Sequence, residues 1–197
     1  DLAQAAAFAQ PRLAREVSGS ADAQVRIGGT SRRPTIAGRL VVPEGSAFGE
    51  GFRALSLRAS GDASALDIAA GGVKFGSTDV AFDGTAGTSA VRLSVRAPRA
   101  DLADFNDFFD AGDTFAGRGH LALRFAAGGG ALSTSGNGAF TGTHFRQYDL
   151  GTTRARWSSS RGVVSAVASV VSSAGRADVR GTARVPGVAR LSDLQSV

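Results

Sequence analysis

The sequence predicts an all-β fold, a long open antiparallel twisted sheet curled into a groove. The first observation is strict alternation at 89–96, where Val91, Leu93 and Val95 are separated by polar residues, as in a strand with one face in water. The second is glycine, 27 of 197 residues, about twice the usual share and typical of tight turns. The third is that strand-like runs return every 8 to 12 residues or so, as in an antiparallel meander.

The predicted strands run in chain order through both halves, about six to each half, with glycine-containing turns between most of them. They cover 18–28, 35–42, 52–60, 65–70, 73–75, 77–84, 89–96, 119–127, 132–141, 145–150, 152–158, 163–171 and 176–185. The alanine-rich start, 1–16, is predicted to be helical with an interruption at Pro11, because proline lacks the N–H that a helix interior needs.

A change of period at mid-chain predicts a short helix over 101–109. Pro98 ends the preceding strand, because it cannot donate a ladder hydrogen bond. Asp101 suits the N-cap of the helix, where acids are favoured by the helix dipole. The apolar residues that follow are spaced as a helical stripe: Leu102, Phe105, Phe108 and Phe109. We expect this stretch to connect two β units.

The two halves resemble each other in pattern, with a period of about 90 to 100 residues. The turn glycines pair as Gly19 with Gly117, Gly38 with Gly136, and Gly84 with Gly181. We therefore interpret residues 1–197 as a single β-groove segment with an internal repeat at approximately 1–100 and 101–197. Since the chain contains no methionine, we expect it to be an internal or processed piece of a longer protein. The alternative is chance similarity between segments rich in glycine, alanine and serine.

Composition and charge argue against several classes of function. The formal net charge is +5, and the pI of about 11.1 arises because nearly every base is an arginine. The arginines are scattered along the chain rather than clustered beside aromatic residues, so we expect no nucleic-acid partner. Cysteine is absent, which excludes disulfides and cysteine-based metal or redox sites. No apolar run approaches the roughly 18 residues of a membrane helix.

No catalytic or cofactor motif stands out, so the sequence predicts a protein that is not an enzyme and holds no metal or cofactor. The two histidines, His120 and His144, are expected to be solvated surface residues rather than members of a catalytic triad or a zinc site. The glycines at 136–142 lack the spacing and the following lysine of a phosphate loop. An acidic series lacks the glycine and terminal glutamate of a calcium loop: Asp104, Asp107, Asp110 and Asp113.

The alternation assigns one set of apolar residues to a single inward face. Each member has an outward polar or small neighbour, so a register slip of one residue would expose the whole set. A wide open sheet must curl or be covered, and an apolar face without a covering layer needs an apolar ligand. The predicted lining residues are Val25, Ile27, Leu40, Val42, Leu55, Leu57, Leu66, Ile68, Val80, Phe82, Val91, Leu93, Val95, Leu121, Leu123 and Phe125.

The texture of the chain resembles the TamB/AsmA-like superfamily of bacterial envelope proteins. The stretches that carry the resemblance are Gly-Arg-Leu-Val-Val at 38–42, Pro-Arg-Ala-Asp-Leu-Ala-Asp-Phe at 98–105, Gly-Arg-Gly-His-Leu-Ala-Leu-Arg-Phe at 117–125, and Gly-Thr-Ala-Arg-Val-Pro at 181–186. The resemblance extends over essentially the whole chain, through spacing rather than one sharp motif. It implies a β-groove of the kind found in bridge-like lipid-transfer proteins.

The resemblance also implies a function and a location. We expect a segment of a periplasmic groove, in the cell envelope, that carries phospholipid acyl chains between the inner and outer membranes. It further implies an outer-membrane partner protein, a role in outer-membrane protein assembly, and an inner-membrane anchor in parts absent from this chain. At about 4.8 Å per strand, a dozen strands would span about 60 Å of such a path. The alternative function is that of a structural or surface protein, a β-solenoid or adhesin-like chain without transport activity.

Overall fold

The structure is a computed structural model that describes residues 17–47, 50–62, 64–106, 114–129 and 131–184. Its twelve strands form one antiparallel sheet. The sheet is open, so the prediction of an all-β open antiparallel sheet is confirmed. The bounds are β1 Val17–Gly19, β2 Asp22–Thr30, β3 Arg33–Ala47, β4 Glu50–Asp62, β5 Ala65–Phe75, β6 Thr78–Gly87, β7 Ala90–Asp101, β8 Phe115–Gly128, β9 Ala131–Phe145, β10 Tyr148–Ser160, β11 Val163–Ser172 and β12 Gly175–Arg184.

The strand order follows the sequence, apart from one edge. From β3 to β12 each strand pairs with the next one along the chain. At the first edge β1 and β2 both pair with β3, β1 opposite 45–47 and β2 opposite 33–41, so together they act as one interrupted edge strand. β12 forms the other edge. A meander of this kind needs only short turns, and the links between successive strands are two residues long except between β7 and β8. The prediction of glycine-containing turns between most strands is wrong, because the links at 31–32, 63–64, 88–89, 146–147 and 173–174 contain no glycine.

In its described part, the predicted mid-chain helix is a 3₁₀ turn rather than an α-helix. The described part is a 3₁₀ helix at Leu102–Phe105, and the backbone N–H of Ala103 donates to the Asp101 carboxylate at 3.1 Å, as the predicted N-cap requires. The turn then ends at Asn106, whose side-chain amide exchanges two hydrogen bonds with the backbone of Phe115, at 2.9 and 3.1 Å. This clamp ties the end of the 3₁₀ helix to the start of β8. Phe108 and Phe109 lie outside the described residues.

Three predicted strand divisions are wrong, two of them because bulges carry strands past glycines. The run predicted as one strand at 18–28 is divided between β1 and β2. The run at 73–75 is not a separate strand but the end of β5. A bulge between Ile68 and Gly71 shifts the register within β5 without ending the strand. The runs at 145–150 and 152–158 are divided differently: β9 ends at Phe145 and β10 is continuous across Gly151, which has a φ of +62°. A bulge inserts an extra residue without ending the ladder. The helix predicted over 1–16 lies outside the described residues.

The 3₁₀ helix is tied to the neighbouring β5–β6 turn by one carboxylate. Asp104 accepts hydrogen bonds from the backbone N–H and the hydroxyl of Ser77, at 3.0 and 2.9 Å, and from the hydroxyl of Thr78 at 2.7 Å. The Thr78 hydroxyl in turn accepts from the backbone N–H of Asp101 at 2.9 Å, and Thr78 is fully buried. The helix is thereby held over one rim of the sheet, meaning one end of its strands, which we call the helix rim.

The best-packed part of the protein lies at the helix rim. The rings of Phe52, Phe75 and Phe105 pack in series, with centroids 6.4 and 6.3 Å apart. Beside them, Ala97, Ala100 and Phe140 form a buried cluster against which Leu102 and Leu121 pack. Strands from both halves of the sheet meet there, so the 3₁₀ helix supplies much of the cover that a single sheet otherwise lacks.

The two halves of the described chain match in strand length and spacing. β3 and β9 begin at positions 33 and 131 and are both 15 residues long. β4 and β10 begin at positions 50 and 148 and are both 13 residues long. Gly19 and Gly117 stand at the same spacing, and both have a positive φ, +134° and +145°, which favours glycine. Duplication of one ancestral unit stays a prediction.

The Asp104 clamp can be tested by substitution. We expect Asp104→Ala to lower the free energy of unfolding by about 1.5 to 3 kcal/mol, because it removes charge-assisted hydrogen bonds and leaves the buried Thr78 hydroxyl without its acceptor. Thermal and urea unfolding would measure the loss. Asp67→Ala is the matched control, since the exposed Asp67 carboxylate has no hydrogen bond or ion pair within the described ranges. Equal losses in the two variants would contradict the clamp.

Candidate ligand-binding face

Cross-strand register places the apolar residues in rows that run across the sheet, since directly opposite residues of antiparallel strands share a face. Two rows are unbroken from β2 to β12, and we name them after one member each. The Phe82 row is Ala23, Leu40, Leu57, Gly71, Phe82, Val95, Leu123, Gly136, Trp157, Ala166 and Gly181. The Leu93 row is Val25, Gly38, Ala59, Ile68, Gly84, Leu93, Phe125, Thr134, Ser159, Val164 and Ala183.

Two further rows flank these central ones on the same face, which we call the apolar face. On the side away from the helix rim the row is Ile27, Ile36, Gly61, Leu66, Ala86, Val91, Ala127 and Leu132. Towards the helix rim, Val42 is opposite Leu55, Val73 is opposite Val80, and Leu121 is opposite Ala97. All sixteen residues predicted to line a groove therefore lie on one face, while their role towards a lipid stays a prediction.

The apolar face carries no charge along its central rows. Neither the Phe82 row nor the Leu93 row contains an ionisable side chain. Their only hydroxyl side chains, Thr134 and Ser159, are cross-strand partners and hydrogen-bond to each other at 2.7 Å. The arginines that alternate with these rows, such as Arg39, Arg58, Arg92 and Arg124, lie on the opposite face, which we call the polar face. The rows thus form an uncharged surface that suits a hydrocarbon ligand and disfavours a charged one.

Exposure separates the apolar face from an ordinary core. Of the sixteen predicted residues, only Val42 is buried, at 0% exposure, and it lies near the helix rim. Val25 and Ile27 on the edge strand β2 are exposed at 65% and 74%. The other thirteen are half-buried. All twelve described strands belong to the one sheet, so none of them forms a second sheet over this face.

Large aromatic rings on the apolar face lie against glycines on the facing strand. Phe82 is opposite Gly71 and Trp157 is opposite Gly136, and a Cβ added at either glycine would overlap the ring. Where a glycine faces an aromatic residue, the ring can lie flat over the exposed backbone, which recovers the contact that a glycine lacks. The rings therefore add apolar surface without standing up across the face.

Trp157 is the main residue of this face that the sequence prediction omitted. It lies in the Phe82 row between Gly136 and Ala166, and it is half-buried. The signal was present, because Trp157 stands between Arg156 and Ser158 in an alternating run. The small residues of β9 obscured it, since Gly136 gives no apolar signal of its own.

The polar groups considered for catalysis do not converge. His144 faces Asp149 across the β9–β10 hairpin, with Nε2 3.9 Å from the carboxylate, and its Nδ1 lies 3.0 Å from the Gly142 carbonyl oxygen. His120 lies on the polar face opposite Ala139. No group of three or more metal-ligating side chains occurs in the part of the chain that the structure describes. The prediction that the protein is not an enzyme stays a prediction.

Comparisons with protein-family models, with curated proteins and with solved structures find no match for this chain. In the described part of the chain, no helix is long enough and apolar enough to cross a membrane. The fold and the apolar face therefore carry the functional argument.

The contact of the Phe82 ring with Gly71 gives a testable prediction, with the adjacent Gly72 as the control. We expect Gly71→Ala to lower the free energy of unfolding by about 1 to 3 kcal/mol, because the added methyl group displaces the Phe82 ring. Gly72→Ala should be neutral or stabilising by up to about 1 kcal/mol, since its nearest neighbours, Ser56 Oγ and Val80 O, would be 3.8 Å away. Urea unfolding of both variants would check this.

A second substitution tests the cause of that loss. Replacing Phe82 by leucine in the Gly71→Ala background should recover part of the lost stability, because the smaller side chain leaves room for the methyl group. Similar stabilities of Gly71→Ala and Gly72→Ala would mean that the ring is not seated on the glycine.

Proposed function

We propose that this chain is a segment of a lipid-conducting groove whose apolar face holds the acyl chains of phospholipids. The observation that carries the proposal is the pair of unbroken, uncharged rows running from β2 to β12 on a face that is half-buried rather than closed. A contiguous apolar surface of this extent is unfavourable in water unless it is covered by a ligand or a partner.

The direction of the rows favours movement across the strands. Val95 and Leu123, in the middle of the Phe82 row, are half-buried neighbours on adjacent strands. An acyl chain lying along this row would pass from strand to strand over similar apolar contacts, with no ionisable side chain in its way. Such sliding needs no chemical step, and the polar headgroup would remain in water.

The wider setting follows from the resemblance to the TamB/AsmA-like superfamily. On that basis we place the protein in the periplasm, as part of a path between the inner and outer membranes. An outer-membrane partner and a role in outer-membrane protein assembly belong to the same proposal. The edge strands β2 and β12 of the described sheet each pair on one side only. Further strands added at either edge would extend the same apolar face.

Charge placed on the apolar face provides the test. We expect Leu93→Asp and Leu123→Arg to block lipid passage while the protein remains folded, because both side chains are only half-buried and a charge there can reach water. Thr85→Asp is the matched control, since Thr85 lies on the polar face, opposite Arg92. Lipid transfer between labelled vesicles and thermal unfolding would be measured on all three variants.

Photo-crosslinking identifies the occupant directly. A photoreactive residue at position 93 should form an adduct with a labelled phospholipid, whereas one at position 92 should not, because the two side chains point to opposite faces. If Leu93→Asp and Leu123→Arg unfold the protein and no lipid adduct forms at position 93, the face is an ordinary closed core. An adduct with a second copy of the chain instead of lipid would favour the structural alternative.

A further inference from the structure

Arginines that are far apart in the sequence come together on the polar face at the β2–β4 edge. Gln24, Arg39 and Arg58 are consecutive cross-strand partners. In the next row, Arg26 is followed across the sheet by Ala37 and Ser60. These two rows form the walls of an open cavity of about 410 Å³. We call these residues the arginine site.

The charges of the arginine site are not neutralised by the protein. Among the residues that the structure describes, no carboxylate forms an ion pair with Arg26, Arg39 or Arg58. The acids nearest by register are Asp22, at the start of β2, Asp62, at the end of β4, and Asp67, beyond Ser60 in the Arg26 row. Asp62 accepts hydrogen bonds from Ser64, and none of the three acids forms an ion pair with these arginines.

The arrangement opposes the stability of the isolated sheet. Arg39 and Arg58 are directly opposite each other, and like charges in that position destabilise a β-sheet. Two neighbouring guanidinium groups without a protein counter-ion are well suited to an oxyanion, which two arginines can bind through paired N–H donors. A bound anion would offset this like-charge repulsion.

The same arrangement recurs in the second half of the chain. At the spacing that relates β3 to β9, Arg26 corresponds to Arg124 and Arg58 to Arg156. Arg124 and Arg156 also border an open cavity, of about 480 Å³, on the same face. Asn137 takes the place of Arg39, and Arg96 is added from β7, although its guanidinium is paired with Asp83. Two cavities with equivalent arginines are more than a scattering of surface charge.

We propose that the arginine site, Arg26, Arg39 and Arg58 with Gln24 and Ser60, binds a phosphate-type oxyanion, and that Arg124 and Arg156 form a second, weaker site of the same kind. The second site is weaker because Asn137 replaces one guanidinium. The shared chemistry is a phosphate group, carried either by free phosphate or by an anionic phospholipid headgroup. The rings of Phe82 and Trp157 lie on the opposite face, so nucleobase stacking beside these arginines is not favoured.

This inference is independent of the proposed acyl-chain path, since the arginine site lies on the other face of the sheet. A lipid whose tail lies along the Phe82 row cannot place its headgroup there through the sheet. Loss of anion binding and loss of lipid transfer are therefore separate outcomes, measured with different variants.

The experiment measures binding of the 197-residue chain to two probes at fixed ionic strength. Inorganic phosphate and pyrophosphate are titrated by calorimetry, and vesicles of phosphatidylglycerol are compared with vesicles of phosphatidylcholine by flotation. We expect Arg39→Gln and Arg58→Gln each to weaken binding at least about tenfold, because charge-assisted hydrogen bonds are lost. Arg58→Lys should recover only part of the affinity, since an ammonium group lacks the planar fork.

Arg92→Gln is the matched control, because Arg92 is an exposed arginine on the polar face, between Thr85 and Ala126, outside both cavities. Thermal unfolding without anion should show Arg58→Gln unchanged or slightly more stable, since the like-charge repulsion is relieved. Binding in either probe arm that falls in Arg58→Gln but not in Arg92→Gln supports the proposal, and the responding arm identifies the source of the phosphate. Absence of binding in both arms, or an equal loss in Arg92→Gln, overturns it.

Discussion

All the described strands belong to one sheet, so no second sheet formed by them covers either of its two faces. That constraint determines where its side chains can go. The central rows of one face contain no ionisable group, while the polar face carries the arginines. Successive residues of a strand point to opposite faces, so apolar and polar residues must alternate along each strand. Where a bulge interrupts this alternation, the residues after the bulge must return to their proper faces. The bulge of β5 does so, returning Gly71 to the row of Leu57.

Limited cover for the apolar face comes from within the sheet itself. Glycines opposite Phe82 and Trp157 allow the rings to lie over neighbouring backbone. At the helix rim, the 3₁₀ helix brings Leu102 and Phe105 onto Ala97, Ala100 and Phe140. These devices bury apolar surface without a second layer, which is why the central rows remain half-buried. A face in that state keeps apolar surface exposed to solvent.

The two faces suit different chemistry. Hydrocarbon is favoured on the apolar face, where a charge would lose hydration without gaining a partner. Anions suit the polar face, where Arg39 and Arg58 are cross-strand partners and no carboxylate of the described residues forms an ion pair with either. Because the two faces are separate, one strand can contribute to both of them. β4 places Leu57 on the apolar face and Arg58 on the polar face. The matching spacing of β3 with β9 and of β4 with β10 repeats this design along the sheet.

Local sequence was sufficient for what depends on neighbours in the chain. Alternation of polar and apolar residues assigned Val91, Leu93 and Val95 to one face, and Asp101 was recognised as the cap of a helical turn because capping acts within three residues. The glycines at 71–72 and 151 were misread as strand ends, because a bulge and a turn use the same residue type and only the partner strand distinguishes them.

The tertiary structure decided which distant residues meet. Arg39 and Arg58 looked like scattered single charges, and the register of β3 against β4 made them partners. The β9–β10 pairing likewise places Trp157 opposite Gly136. Asp104 can accept hydrogen bonds from the β5–β6 turn only because the fold brings that turn beside it. Periodicity along one strand determines which face a residue occupies, but it carries no information about the residue across the ladder. That contact depends on register, and register is settled only when the whole sheet is assembled.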